Sequence, residues 1–161
     1  MKSFQESAAA LNSTIETVTP WLRQFSDADA AVRPAPGKWS KKEILGHLMD
    51  SASNNPQRFV RAALQGELTF PGYDQERLVA LQRFQDLDWA FLIDLWAAYN
   101  RLLAHVLHAL PTSAHGVTCR IGPYKPATLG WIADDYVEHM KHHLNQICGR
   151  KFESSYSAGA Y

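Results

Sequence analysis

The sequence predicts an all-α fold: a four-helix bundle with one short extra helix and a long loop before the last helix. Three observations predict it. Apolar residues recur three and four apart over most of the chain, the period of a helix with one buried face. Helix-starting residues stand at the heads of these stretches. No repeats, low-complexity segments or strand-rich regions interrupt them.

The first helix is expected from Phe4 to about Phe25, on Phe4, Ala8, Leu11, Ile15, Val18 and Leu22. Pro20 should kink it or restart it, because a proline ring opposes the carbonyl four residues back. Residues 26–38, with two prolines and a glycine, read as a surface connector. Ser40-Lys41-Lys42-Glu43 fits a capping box and starts a second helix to about Gln65, bent at Pro56. His47 lies on the border of its apolar face, and Asp50, Ser51, Asn54 and Arg58 continue that border as a polar line. Residues 66–76 read as a turn-rich loop. Asp74 then caps a short helix whose expected buried face is Leu78, Leu81 and Phe84.

A longer helix is expected from about Asp88 to Leu110, carrying Leu92, Leu95, Trp96, Tyr99, Leu102, Leu103, Val106 and Leu107. Residues 111–127 hold three prolines and two glycines and read as a long loop with room for a short hairpin. Thr128 can cap the last helix and Gly149 can stop it, with an inward stripe of Leu129, Ile132, Tyr136, Met140, Leu144 and Ile147. Residues 1–150 are expected as one domain, and residues 151–161 as a weakly ordered tail.

Composition narrows the function. With 16 basic and 16 acidic residues the formal charge is zero, so no electrostatic footprint for nucleic acid exists. No apolar run is long enough to span a membrane, and the first twenty residues lack a secretory apolar core. Two cysteines, Cys119 and Cys148, make neither a disulfide framework nor a Cys-x-x-Cys site, and a reducing cytoplasm is the expected location.

The chemistry lies in the last helix. His139 and His143 stack one turn apart along the edge of the apolar stripe, where two imidazoles can converge on one ion. His47 is the best third ligand. A pairing of His139 with His142 is also geometrically allowed, although His142 lies about 100° around the helix from His143 and is expected to face solvent. His105, His108 and His115 have no spacing that converges on the pair. Met140 stands where a zincin needs Glu, and the Glu-x-x-His pairs of a di-iron bundle are missing. No Gly-rich phosphate loop or nucleophile elbow is present.

The stretches RPAPGKWSKKEILGHLMDS (33–51), NNPQRF (54–59), FPGYDQ (70–75) and WIADDYVEHMKHHLNQI (131–147) resemble the DinB/YfiT-like superfamily of metal-binding four-helix bundles. The resemblance runs in order over residues 5–149. It implies a site of His47, His139 and His143 holding a divalent metal, usually zinc or nickel. It also implies the superfamily's chemistry: S-transfer with mycothiol, bacillithiol or glutathione, isomerisation, or hydrolysis, often in a homodimer. The expected function is a metal-dependent transferase using a low-molecular-weight thiol and an electrophilic substrate. A metal-dependent hydrolase and a metal-stabilised bundle without turnover are the alternatives. Asp50, Asn54 and Arg58 are the expected catalytic side chains, with Arg58 gripping a carboxylate, and Asp135 is the expected orienter behind the ligands.

Overall fold

The computed structural model describes residues 2–149 and 151–156. Four long helices form the bundle: α1 (Phe4–Leu22), α3 (Lys41–Gln65), α5 (Trp89–Ala109) and α6 (Leu129–Cys148). Two short helices, α2 (Asp27–Ala31) and α4 (Gln75–Gln82), lie in the connections. Both α1 and α3 pack against α5 on one side and α6 on the other, so the order around the bundle is α1, α5, α3, α6.

Local chemistry explains where the helices begin. Ser3, Ser26 and Ser40 each head a complete capping box, with Glu6, Asp29 and Glu43 bonding back to the cap. Asp74, Asp88 and Thr128 each accept a bond from the backbone N–H three residues on. Thus α2 stands inside the expected connector, because Ser26 supplies a cap that the prolines after it do not disturb.

Both prolines lie within continuous helices. At Pro20 the chain does not restart, and α1 ends two residues later. Pro56 removes the N–H that would reach the Ala52 carbonyl, and its neighbours stitch the same turn with their side chains. Asn54 and Asn55 donate through Nδ2 to the carbonyls of Asp50 and Ser51, each at 2.9 Å.

The loops contain a small sheet that the sequence reading did not anticipate beyond a hairpin. Strand β1 (Glu67–Phe70) pairs in parallel with β2 (Thr118–Ile121), and β2 pairs antiparallel with β3 (Ala127–Thr128). The sheet joins the end of α3 to the start of α6. Gly122, at φ 52°, lies so close to the Gly72 backbone that a Cβ on it would stand 3.0 Å away, and its left-handed backbone favours glycine as well.

The expected stripe of α6 is buried at all six positions. One expectation elsewhere is corrected. In α4 the buried residue is Val79, while Leu81 is 75% exposed, because this short helix turns its Val79 face to the bundle. In α5, Tyr99 and Leu102 face outward with Phe91, since the helix meets α1 and α3 through the opposite face. Gly46 lets the Phe84 ring lie directly on α3, where a Cβ would meet the ring at 2.2 Å. That contact fixes the helix one residue before His47.

Candidate metal centre

Helices α3 and α6 face each other, and His47 of α3 meets His139 and His143 of α6. Ring nitrogens of the three lie within 4.8 Å of one another. Their ring centroids are 4.6–5.0 Å apart, each pair edge-on. His47 Nε2 and His139 Nε2 are 3.0 Å apart. Two nitrogens on one tetrahedral zinc stand about 3.3 Å apart, given bonds of about 2.0–2.1 Å. The spacing therefore suits a shared ion.

Electrostatics favour the same fit. Burial pushes His47 down to about 3 and, with the neighbouring imidazoles as a lesser cause, lowers His139 as well. Burial brings His143 down to about 4 against a hydrogen bond to Gln146 that pulls the other way. All three rings are thus neutral at physiological pH, the form that binds a cation. One N–H can bridge the His47–His139 pair, but a third lone pair in the cluster gains nothing from it. The Nδ1 of His47 is buried without a partner.

A cavity of about 80 Å³ adjoins the cluster, room for a few waters or the reactive end of a small molecule. His47 and His139 form one wall. Arg58 forms another, its buried guanidinium 5.2 Å from the Phe70 ring and 5.8 Å from the Tyr73 ring. Asp135 lines the cavity too, its carboxyl pushed up to about 6 by burial and, less, by Glu138.

Of the expected polar line on α3, Ser51 and Arg58 line the cavity, Asp50 and Asn54 do not, and Asn55 joins them instead. Asp50 turns to α4 and accepts from Gln82 Nε2, while burial raises its carboxyl. Asn54 is committed to the Asp50 carbonyl, as described above. No hydrogen bond joins Asp135 to His139 among the described residues. The side chain behind an imidazole is Gln146, whose Oε1 accepts from His143 Nδ1 at 3.0 Å, a contact that leaves the Nε2 lone pair for a cation. The i, i+3 spacing of His143 and Gln146 was the available signal for that contact. His142 is not out in solvent. It is half-buried, with Gln146 on one side and the Tyr156 ring on the other.

Fold and site together define a helical bundle with a three-histidine cluster at the mouth of a polar cavity. The chain belongs to the DinB superfamily, whose family model matches residues 5–147. No curated protein matches it. Among solved structures it is similar to YfiT from Bacillus subtilis, described as a probable metal-dependent hydrolase with an unusual four-helix bundle topology. The TM-score is 0.79 and the identity 18%, over 89% of this chain and 83% of that one. At that identity the likeness shows the shared fold.

Proposed function

We propose that this protein is a metal-dependent enzyme that joins a low-molecular-weight thiol to a small anionic electrophile at the three-histidine site. The observation that carries this reading is the donor set itself. Three neutral imidazoles converge beside an open cavity, and among the described residues no fourth His, Cys, Asp or Glu joins them. Structural zinc sites are closed by four protein ligands, whereas catalytic ones keep a position open.

His47, His139 and His143 would hold a divalent ion, zinc or nickel. When bound, that ion supplies the positive charge that keeps a thiol as thiolate, or lowers the pKa of water, at neutral pH. Asp135, raised to about 6 on the cavity wall, accepts the proton that the nucleophile loses. The sulfur then bonds to the electrophilic carbon as the leaving group departs. Arg58 supports an anionic substrate, because a guanidinium fork matches a carboxylate and its burial strengthens the pairing. Ser51 and Asn55 offer a hydroxyl and an amide on the same wall.

Water in place of the thiol gives a hydrolase. The description of YfiT favours that second reading. One experiment separates the two: metal analysis of untagged protein, then parallel screens for thiol conjugation and for ester or amide hydrolysis. The expected result is one divalent ion per chain and thiol-dependent turnover, with Asp135→Asn about 10²–10⁴-fold slower. Turnover without thiol would assign the hydrolase, and a loaded protein inert in both screens would leave a binding bundle.

The exposed α5 residues Phe91, Tyr99 and Leu102 support a homodimer, which light scattering would show, and the free cysteines support a reducing cytoplasm. Among the described residues no helix is long and apolar enough to cross a membrane.

A further inference from the structure

The segment following α6 is not a loose tail over its described part. It turns back and runs along the helix it has just left. Asn145 makes the first hold. Its Oδ1 accepts from the backbone N–H of Lys151 and of Phe152, and its Nδ2 donates to the Phe152 carbonyl, all at 2.9 Å. The Phe152 ring lies 6.0 Å from that of Trp21 on α1, and the Lys151 ammonium sits over the same indole. Glu138 makes the second hold. The Ser154 hydroxyl donates to its carbonyl, and the Ser155 N–H donates to its Oε2, each at 2.9 Å. Glu138 is itself fixed by Lys141 at 2.9 Å and by Lys2 at 3.6 Å.

Asn145 and Glu138 are seven residues apart, about 10 Å along the helix at 1.5 Å per residue. A clip pinned at both points must therefore pass the turns that carry His142 and His139. Its last described residue does so. The Tyr156 ring stands 5.0 Å from His139, edge-on, and 5.2 Å from His142. It lines the same cavity as His47, Arg58 and Asp135. Two serines precede it, so the tyrosine is a large side chain at the end of a short polar stretch.

We propose that Tyr156 is a positioning residue of the three-histidine site, held in place by the Lys151–Ser155 clip. Its ring covers His139 and His142 and forms a cavity wall against which a ligand sharing the site must lie. The proposal rests on the metal reading above. Exchange of a bound ion requires an imidazole to swing away and water to enter, and a ring packed on His139 opposes both.

The test uses the full chain loaded with cobalt(II), whose visible absorption reports ligand geometry. Transfer of cobalt to a chromophoric chelator gives the release rate. Tyr156→Ala should release cobalt about tenfold faster or more, the usual effect of losing a group that orients a ligand, while still binding one ion per chain. Tyr156→Phe should keep the parent rate, since it keeps the ring. Asn145→Ala frees the clip without touching the tyrosine and should resemble Tyr156→Ala, with the cobalt spectrum shifted in both. A second readout needs no metal. In the apo chain the His139 ε1 proton resonance should move in Tyr156→Ala and Asn145→Ala, while that of His115, which packs on Phe4, should stay. Normal loading with equal release rates in parent and variants, or an unmoved His139 resonance, overturns this proposal alone. A parent chain that takes up no cobalt overturns the metal reading, and this proposal with it.

Discussion

The seam between α1 and α5 and the seam between α3 and α6 belong to one bundle and have opposite chemistry. Where α1 meets α5, Leu11, Ile15, Leu22, Leu103 and Leu107 are fully buried. Where α3 meets α6, the buried or cavity-lining side chains include His47, Ser51, Asn55, Arg58 and Asp135. Apolar burial gains about 25 cal/mol per Å², while a polar group withdrawn from water without full pairing costs of the order of 1–3 kcal/mol. The polar seam is thus a net load on folding that the apolar seam offsets. Three neutral, desolvated imidazoles are poor packing and good ligands. The bundle tolerates them because its cohesion lies elsewhere.

The sharpest way to break this comparison is to remove the ligands. Alanine at His47, His139 or His143 should nearly abolish stoichiometric metal while leaving the apo chain folded. Alanine at the adjacent His142 should keep the metal. Metal per chain by elemental analysis, with circular dichroism as the folding check, decides it. Loss in the His142 variant with retention in the His143 variant would reassign the pair.

The converse change belongs to the other seam. Leu103→Ala removes a fully buried side chain between helices and should cost about 2–5 kcal/mol in denaturant unfolding. Metal bound per folded chain should not change, because Leu103 belongs to α5, which supplies none of the three histidines. A variant that loses metal before it loses structure would show the seams to be coupled.

Acid gives the most graded effect. The folded-state values of His47 and His143, about 3 and about 4, lie below the ordinary 6.5. Between those limits the unfolded chain binds more protons than the folded one, so stability increases with pH across the window. The apo protein should therefore lose stability as pH falls from 6.5 toward 4, and His47→Ala should flatten that slope. Chemical denaturation at a series of pH values measures it. A parent slope unchanged in the variant would mean that His47 is not buried as described. Bound metal should steepen the loss at the acid end, since protons then compete for the ligands themselves.

Much of the fold is legible in the sequence because helices are local. Capping side chains bond within three residues, and the 3.6-residue period needs no partner to be read. Thus Ser40 and Glu43 mark the start of α3, and all six stripe positions of α6 are buried. The sheet was not legible, since β1 and β2 pair across some fifty residues and neither strand alternates for long enough to be seen alone. Period alone also does not say which apolar positions of α5 are covered, and Tyr99 and Leu102 continue an apolar pattern that no neighbour in the bundle covers.

For the site, helix geometry puts His139 and His143 in one row, the family resemblance adds His47, and the structure brings the three rings together. Only the tertiary structure decided what surrounds them. Positions 50 and 51 flank His47 at about −60° and +40° around the helix, and nothing local says which flank meets α6. The crossing of α3 over α6 chose Ser51 and Asn55, and left Asp50 to Gln82 and Asn54 to its own backbone. In the same way, nothing in the spacing of Lys151–Tyr156 points back to Glu138 and Asn145. That contact depends on the helix surface already being in place, because a short polar strap has no buried face of its own to direct it.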